Sequence, residues 1–300
     1  MSQKILLTGG SGLIGTSIAE HLRSRGVEVL APSHADGDLR NPDFCKKIIV
    51  GVDRVFHLAS FRKNVAYHLA HRKEVMEANI GMTDVLSKAL LEQGKPIPVT
   101  FFSTAILGAY PENLGAGIHA CQAGKYARSP SIDDIADGYA AAKLRCEQHW
   151  REVCAEMKSP LLIVRPSSAY GPGDNFGPEA NVIPSLIKKC REGQGSFTVW
   201  GSGKQMRSFL YAPDVGPALM TLIEKNVTGV EYLCPPERVS IRQLAEMIRG
   251  LVKPEMGIEF DTSQPEGPSF PVLPMHSALK GMPWTPLADG LKATVNAMSS

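Results

Sequence analysis

The chain has 300 residues, 43% of them apolar and 21% charged, with 32 basic against 30 acidic residues and a formal net charge of +2. That composition describes a soluble globular chain with material for a large core. The balanced charge, without a basic block or basic-aromatic interleaving, argues against nucleic acid or an anionic membrane surface as partner. In chain order, the apolar run after Met1 is too short for a signal peptide, and no later stretch approaches a membrane span. The six cysteines form no CxxC pair and no Cys/His cluster at metal spacing. Reduced thiols in a cytoplasmic protein without a metal are expected.

Lys4 to Thr8 reads as a strand, followed by the glycine cluster Gly9-Gly10-Ser11-Gly12-Leu13-Ile14-Gly15 and a helical pattern. Glycines at 9, 12 and 15 allow a tight turn, close approach of backbone N–H groups to a pyrophosphate, and packing of the helix on the strand. Val27 to Leu30 is a second strand. No carboxylate closes it, since Ala31-Pro32-Ser33-His34 intervene before Asp36. An acid there would bind the adenosine ribose of NAD, so the pattern favours NADP, with NAD through Asp36 or backbone groups as the alternative. Gly37 to Arg40 is expected to open a helix. Arg54 to Ser60 reads as a third strand, Glu74 to Glu92 as a helix carrying Asn79, and Pro98 to Phe102 as a fourth strand. Strands alternating with amphipathic helices predict a parallel sheet wound on both faces, with ligands at the carboxyl ends of the strands.

Gly138-Tyr139-Ala140-Ala141-Ala142-Lys143 sets a phenol and an ammonium one helical turn apart on one face. A free tyrosine with a pKa near ~10 is protonated at neutral pH, and a neighbouring cation favours its phenolate. Such a pair can move a proton to or from a substrate oxygen, although Tyr and Lys at this spacing are commonly a structural contact. Leu161 to Pro166 is a further buried strand with Ser167 to Tyr170 at its end. Asn181 begins a helix ending near Cys190, Asp214 is expected to cap a helix from Val215 to Lys225, and Ser240 one from Ile241 to Leu251. Lys253 to Met282 is read as connection, and Thr285 to Met298 as the closing helix. His57, His68 and His71 are read as structural.

Thr8 to Gly15, Gly37-Asp38-Leu39, His57-Leu58-Ala59-Ser60, Asn79, Ser103-Thr104-Ala105, Tyr139 with Lys143, Arg165-Pro166, Tyr170 to Asp174, and Phe209-Leu210-Tyr211 ahead of Asp214 occur in the order seen in one family. On these residues the chain resembles the extended short-chain dehydrogenase/reductase family, within the group of nucleotide-sugar epimerases, dehydratases and reductases. The resemblance implies a Rossmann-type doubly wound parallel α/β sheet over residues 1–170, joined by part of 205–235, and a smaller carboxyl-terminal α/β substrate domain over 171–300. It implies a dinucleotide, NADP or NAD, against Gly9, Ser11, Gly12, Leu13, Ile14 and Gly15. Ser33, His34, Asp38, Leu39, Leu58, Ala59, Ser60, Asn79, Tyr139, Lys143, Pro166 and Ser168 complete that site. Substrate contacts fall on Thr104, Ala105, Asn181, Val182 and Arg207, and homodimers are expected by the same analogy.

By the resemblance, Tyr139 is the general acid/base, Lys143 lowers its pKa and holds the nicotinamide ribose, and Thr104 hydrogen-bonds the reacting oxygen. Dehydratases, decarboxylases and the GDP-fucose enzyme carry Asp-Glu, Glu or Cys just after that threonine, where this chain has Ala105 and Ile106. The catalytic histidine of the GDP-fucose enzyme is replaced by Asn181, which matches a diphosphate contact of the 4-epimerases. Aliphatic side chains cannot relay protons. Oxidation or reduction at one carbon remains: reduction of a 4-keto nucleotide sugar, with 4-epimerisation as the alternative. A non-catalytic nucleotide-binding regulator is disfavoured because Tyr139 and Lys143 are both present. Lys125 and Arg128 lie in a segment expected either to close over an anionic substrate or to be a surface insertion.

Overall fold

The computed structural model describes residues 3–103, 132–264, 266 and 273–298. The strands are β1 (Lys4–Thr8), β2 (Glu28–Leu30), β3 (Arg54–His57), β4 (Val99–Phe102), β5 (Leu161–Pro166), β6 (Ser168–Tyr170), β7 (Ser196–Trp200), β8 (Met206–Arg207), β9 (Phe209–Tyr211), β10 (Gly229–Leu233), β11 (Val239–Ser240) and β12 (Gly257–Asp261). The helices are α1 (Leu13–Ser24), α2 (Pro42–Ile48), α3 (Val65–Ala70), α4 (Arg72–Glu92), α5 (Gly138–Glu156), α6 (Val182–Glu192), α7 (Val215–Glu224), α8 (Ile241–Val252) and α9 (Leu287–Ala297).

Six strands form a parallel sheet in the order β2-β1-β3-β4-β5-β10. The two-residue period of a strand sends alternate side chains to opposite faces. Leu6, Val55, Val99, Phe101 and Ile163 pack with residues of α2, α4 and α5. Ile5, Leu7, Phe56, Phe102 and Val164 pack with residues of α1 and α7 on the other face. Strand order reverses at β1, with β2 on one side and β3 on the other, and the carboxyl ends of β1 and β3 there form the crevice in which doubly wound sheets bind ligands. A separate core gathers Ile183, Leu186, Phe197, Leu244, Ile248 and Leu291 from α6, β7, α8 and α9. Among the described residues no helix is long and apolar enough to cross a membrane.

Four local expectations change. Asp38 to Asn41 close a turn through the Asn41 amide and the Asp38 carbonyl at 2.9 Å, and the helix starts at Pro42 behind the cap Asn41, whose Oδ1 accepts from the Asp43 and Phe44 amides at 2.9 and 3.3 Å. Asn at the cap with Pro at the first helical position is the stronger start signal. Asp214 occupies the N-cap position of α7 but makes no side-chain cap bond; its carboxylate accepts from the Thr285 amide and hydroxyl, both at 2.8 Å, tying the chain before α9 to the start of α7. The stretch read as connection contains β12, which pairs with β7, and the short helix α3 precedes α4. Ser240 does cap α8, in a reciprocal box with Gln243.

Candidate active site

The turn after β1 is closed by its own backbone. Gly9 has φ +74°, which favours glycine, and a Cβ there would lie 2.6 Å from the Ala59 nitrogen. A Cβ on Gly15 would collide with the Gly9 carbonyl, so α1 and the turn after β1 require that glycine to approach each other. Gly12 is the helix cap, carries no side chain to satisfy the first-turn amides, and has no atom but the Gly9 carbonyl near its Cβ position. Uncapped N–H groups of Leu13 and Ile14 at the positive end of α1, with no acidic residue in the first turn, fit a pyrophosphate.

Around this turn the other cofactor candidates are placed in detail. Ser33 donates its amide and hydroxyl to Asp36, both at 2.8 Å, and these bonds, the backbone one foremost, hold the Asp36 carboxyl below the usual carboxylate range. His34 is exposed beside them. Asp38 is held by Arg40 in a two-pronged pair, Nε to Oδ1 at 3.1 Å and Nη2 to Oδ2 at 2.7 Å, next to Leu39. Leu58 and Ala59 follow β3, with the Ala59 amide donating to Thr8 Oγ1 at 3.3 Å. Asn79, buried in α4, clamps the same loop: its Oδ1 accepts from the Phe61 amide at 3.0 Å and its Nδ2 donates to the Phe61 carbonyl at 2.9 Å. Beneath the loop His57 is fully buried between the Thr8 and Thr83 hydroxyls, at 2.8 and 3.3 Å; burial, helped by the Lys143 charge, lowers its pKa to about 3. Pro166 ends β5 and Ser168 begins β6.

Tyr139 and Lys143 do not lie on an exposed helix face; each is only 2% exposed. The Tyr139 hydroxyl donates to Ser60 Oγ at 3.2 Å, which joins α5 to the loop after β3. Lys143 Nζ donates to the Phe102 carbonyl at 3.0 Å and stands 5.6 Å from the centre of the Tyr139 ring. The ammonium is thus fixed at the carboxyl end of β4, beside its companion phenol. Thr104, Ala105 and Ile106, which follow β4, lie outside the described residues, as do Lys125 and Arg128.

The start of α5 is fixed by residues that sequence reading passed over. Asp137 caps it, with Oδ1 accepting from the Tyr139 and Ala140 amides at 2.8 and 3.0 Å. An acid two residues before the tyrosine was a readable cap signal. Burial raises the Asp137 carboxyl's pKa, but His68 and the two amides outweigh it and hold the carboxyl below its usual range. Gly138 lets the helix meet the Arg72 backbone, where a Cβ would lie 2.7 Å from Arg72 Cα. One turn beyond Lys143, Glu147 forms a buried two-pronged pair with Arg165 at 2.9 and 2.6 Å, and Arg165 also donates to the Tyr232 hydroxyl at 3.1 Å. That network binds α5 to β5 and β10.

The substrate candidates lie on less enclosed ground. Asn181 precedes α6 and accepts from the Arg62 guanidinium at 2.6 Å; Val182 begins the helix, and Lys63 pairs with Glu179 at 3.7 Å. Arg207 lies in β8, where burial lowers its pKa from the usual arginine value. Asp174 has a buried carboxylate oxygen without a hydrogen bond among the described residues, and burial pushes its pKa up to about 6 against the opposing Asn175 amide and Arg62 charge.

The profile of the NAD dependent epimerase/dehydratase family matches residues 5–234. Among curated relatives, dTDP-4-dehydro-6-deoxy-D-allose reductase from Streptomyces bikiniensis is 27% identical over 286 residues, covering 88% of this chain and 85% of the relative. A probable GDP-L-fucose synthase 1 from Oryza sativa subsp. japonica is 26% identical over 304 residues, covering 97% and 90%. A solved GDP-L-fucose synthetase from Naegleria fowleri bound to NADP superposes with a TM-score of 0.79 at 24% identity, over 99% of this chain and 92% of that one.

Proposed function

We propose that this chain, which belongs to the NAD dependent epimerase/dehydratase family, is an NAD(P)-dependent enzyme that reduces a 4-keto nucleotide sugar with Tyr139 as proton donor. The observation that carries the reading is the buried Tyr139–Lys143 pair, whose phenol is aimed at Ser60 at the carboxyl end of the sheet. When bound, the dinucleotide supplies the hydride. The uncapped start of α1 would hold its pyrophosphate, and the Ser33–Asp36 turn would meet its adenosine ribose. Asp36 now takes both Ser33 donors. A 2′-phosphate has to displace that carboxylate, whereas a ribose hydroxyl can donate to it, so this turn decides between NADP and NAD.

Negative charge grows on the carbonyl oxygen as the carbonyl carbon is reduced. Tyr139 gives its phenolic proton to that oxygen, leaving an alcohol and a phenolate that the Lys143 cation stabilises. Hydride, proton and ketone balance as one alcohol. Ser60 orients the phenol from the other side, and Thr104 is proposed as a second hydroxyl on the reacting oxygen. Ala105 and Ile106 offer no acid or base for eliminating water or for removing a proton from a neighbouring carbon. The names of the reductase and the GDP-L-fucose synthase relatives specify dTDP- and GDP-linked sugars, so Asn181, Arg62 and Arg207 are proposed to receive the diphosphate; arginine's fork of donors suits phosphate oxygens.

Reversible 4-epimerisation with retained NAD is the second reading, favoured by the Asp36 carboxylate in the turn that follows β2. Denaturing freshly purified protein, identifying any released dinucleotide, and following NADPH and NADH consumption with dTDP-, GDP- and UDP-linked 4-keto sugars separates the two. Exchangeable cofactor and net consumption are expected. Stoichiometric retained NAD without consumption would replace reduction by epimerisation.

A further inference from the structure

We infer that His68 is a positioning residue for Tyr139, holding the face of its ring and, through Asp137, the first turn of the catalytic helix; this rests on Tyr139 being the proton carrier. His68 is 3% exposed, and its imidazole stacks on the Tyr139 ring with centroids 5.1 Å apart and planes 28° from parallel. Both ring nitrogens are committed. Nε2 accepts from the Lys63 amide at 3.0 Å, so the ring proton lies on Nδ1, which faces Asp137 Oδ2 at 3.5 Å.

These contacts close a circuit. From Ser60 the chain leads to Lys63, whose amide holds His68; His68 faces Asp137, Asp137 accepts from the Tyr139 amide, and the Tyr139 hydroxyl returns to Ser60. An imidazole suits this place better than a phenyl ring because the face presented to Tyr139 has to be fixed in rotation, and a phenyl ring has no polar atom with which to meet Lys63 or Asp137. Arg72 supports the same junction from α4, donating to the Ile135 and Ile132 carbonyls at 2.9 and 3.1 Å. His57 is equally buried and also uses both nitrogens, but it packs on Phe101 and Trp150.

The test compares His68→Ala, His68→Phe and Tyr139→Phe in the full chain, using NADPH and whichever dTDP-, GDP- or UDP-linked 4-keto-6-deoxy sugar gives the highest wild-type rate. Misplacing a reacting group by a fraction of an ångström predicts a loss of about tenfold or more in kcat for His68→Ala, with KM and dinucleotide Kd within about twofold. His68→Phe restores the stacked face without its anchors and is expected to recover only part, staying about threefold below wild type. A purely structural residue would instead lower the folded fraction and leave kcat per folded molecule unchanged, and that result overturns the inference. If His68→Ala fails to fold, His68→Phe decides: wild-type kcat overturns, reduced kcat at constant KM supports. An active Tyr139→Phe would remove the functional reading itself, whereas an inactive Tyr139→Phe beside a fully active His68→Ala would remove only the role given to His68.

Discussion

Over the first two turns of α5, Asp137, Tyr139 and Lys143 are buried and each hydrogen-bonds to a defined partner, whereas at the meeting of the 60–64 and 173–181 loops Arg62 and Glu179 are exposed, Asn181 is half-buried, and Asp174 keeps a buried oxygen without a hydrogen bond among the described residues. The first region is preorganised, as the proposed proton transfer in a low-dielectric site requires. The second holds polar groups that bond to one another at the surface, where a charged ligand can displace them. Fixed chemistry beside exchangeable recognition is the arrangement expected of an enzyme whose substrate carries its own diphosphate.

Breaking the first region should cost most. Tyr139→Phe keeps the ring and its packing, so turnover is expected to fall by about 10²–10⁴ while dinucleotide affinity, read by fluorescence titration, changes little. Glu147→Ala strips the partner from a buried guanidinium and should lower unfolding free energy by about 3–5 kcal/mol in urea titrations. Replacing Glu147 and Arg165 together by Leu should cost much less, because no buried charge is then left alone.

The second region should respond more gently, and in one case with the opposite sign. The folded pKa of Asp174, about 6, lies above an unfolded value near ~3.9. Its contribution to stability is therefore favourable only at low pH and is lost as pH rises from about 4 through about 6. Asp174→Asn should stabilise the protein by about 1–2 kcal/mol at pH 7.5 and by nothing below about pH 4, as thermal melts across that range would reveal. Arg62→Ala should raise KM for the nucleotide sugar about three- to tenfold, through loss of a charge-assisted contact, with kcat and melting temperature little changed. Asp36→Ala should shift the ratio of NADP to NAD affinity toward NADP by about tenfold, the equivalent of about 1.4 kcal/mol, in competitive titrations.

How much of this was legible in the sequence differs between the same two regions. Local signals transferred well: the strand-glycine-helix unit of residues 4–24, the apolar run of β5 and the Ser240 cap are each set by neighbours in the chain. The α2 start lies beyond the expected one because Asn41-Pro42 outweighs Gly37 to Arg40, and Asp214 makes no cap bond because its carboxylate meets Thr285 across the fold. Partnerships between distant segments left no periodic trace. His68 reads as one histidine among eight, and nothing near it announces Asp137 or Tyr139. Burial of the Tyr139–Lys143 face was equally hidden, since an Ala-rich turn fits a packed or an exposed helix.

The role proposed for Tyr139 is reduction at one carbon, without acid or base on the neighbouring carbons. Its most direct test is the product formed from a 4-keto nucleotide sugar and NADPH in D2O, read by NMR. Transfer of unlabelled hydride to C4, with no deuterium at C3 or C5, is the predicted result. Deuterium at C3 or C5, or a product that has lost water, would contradict it.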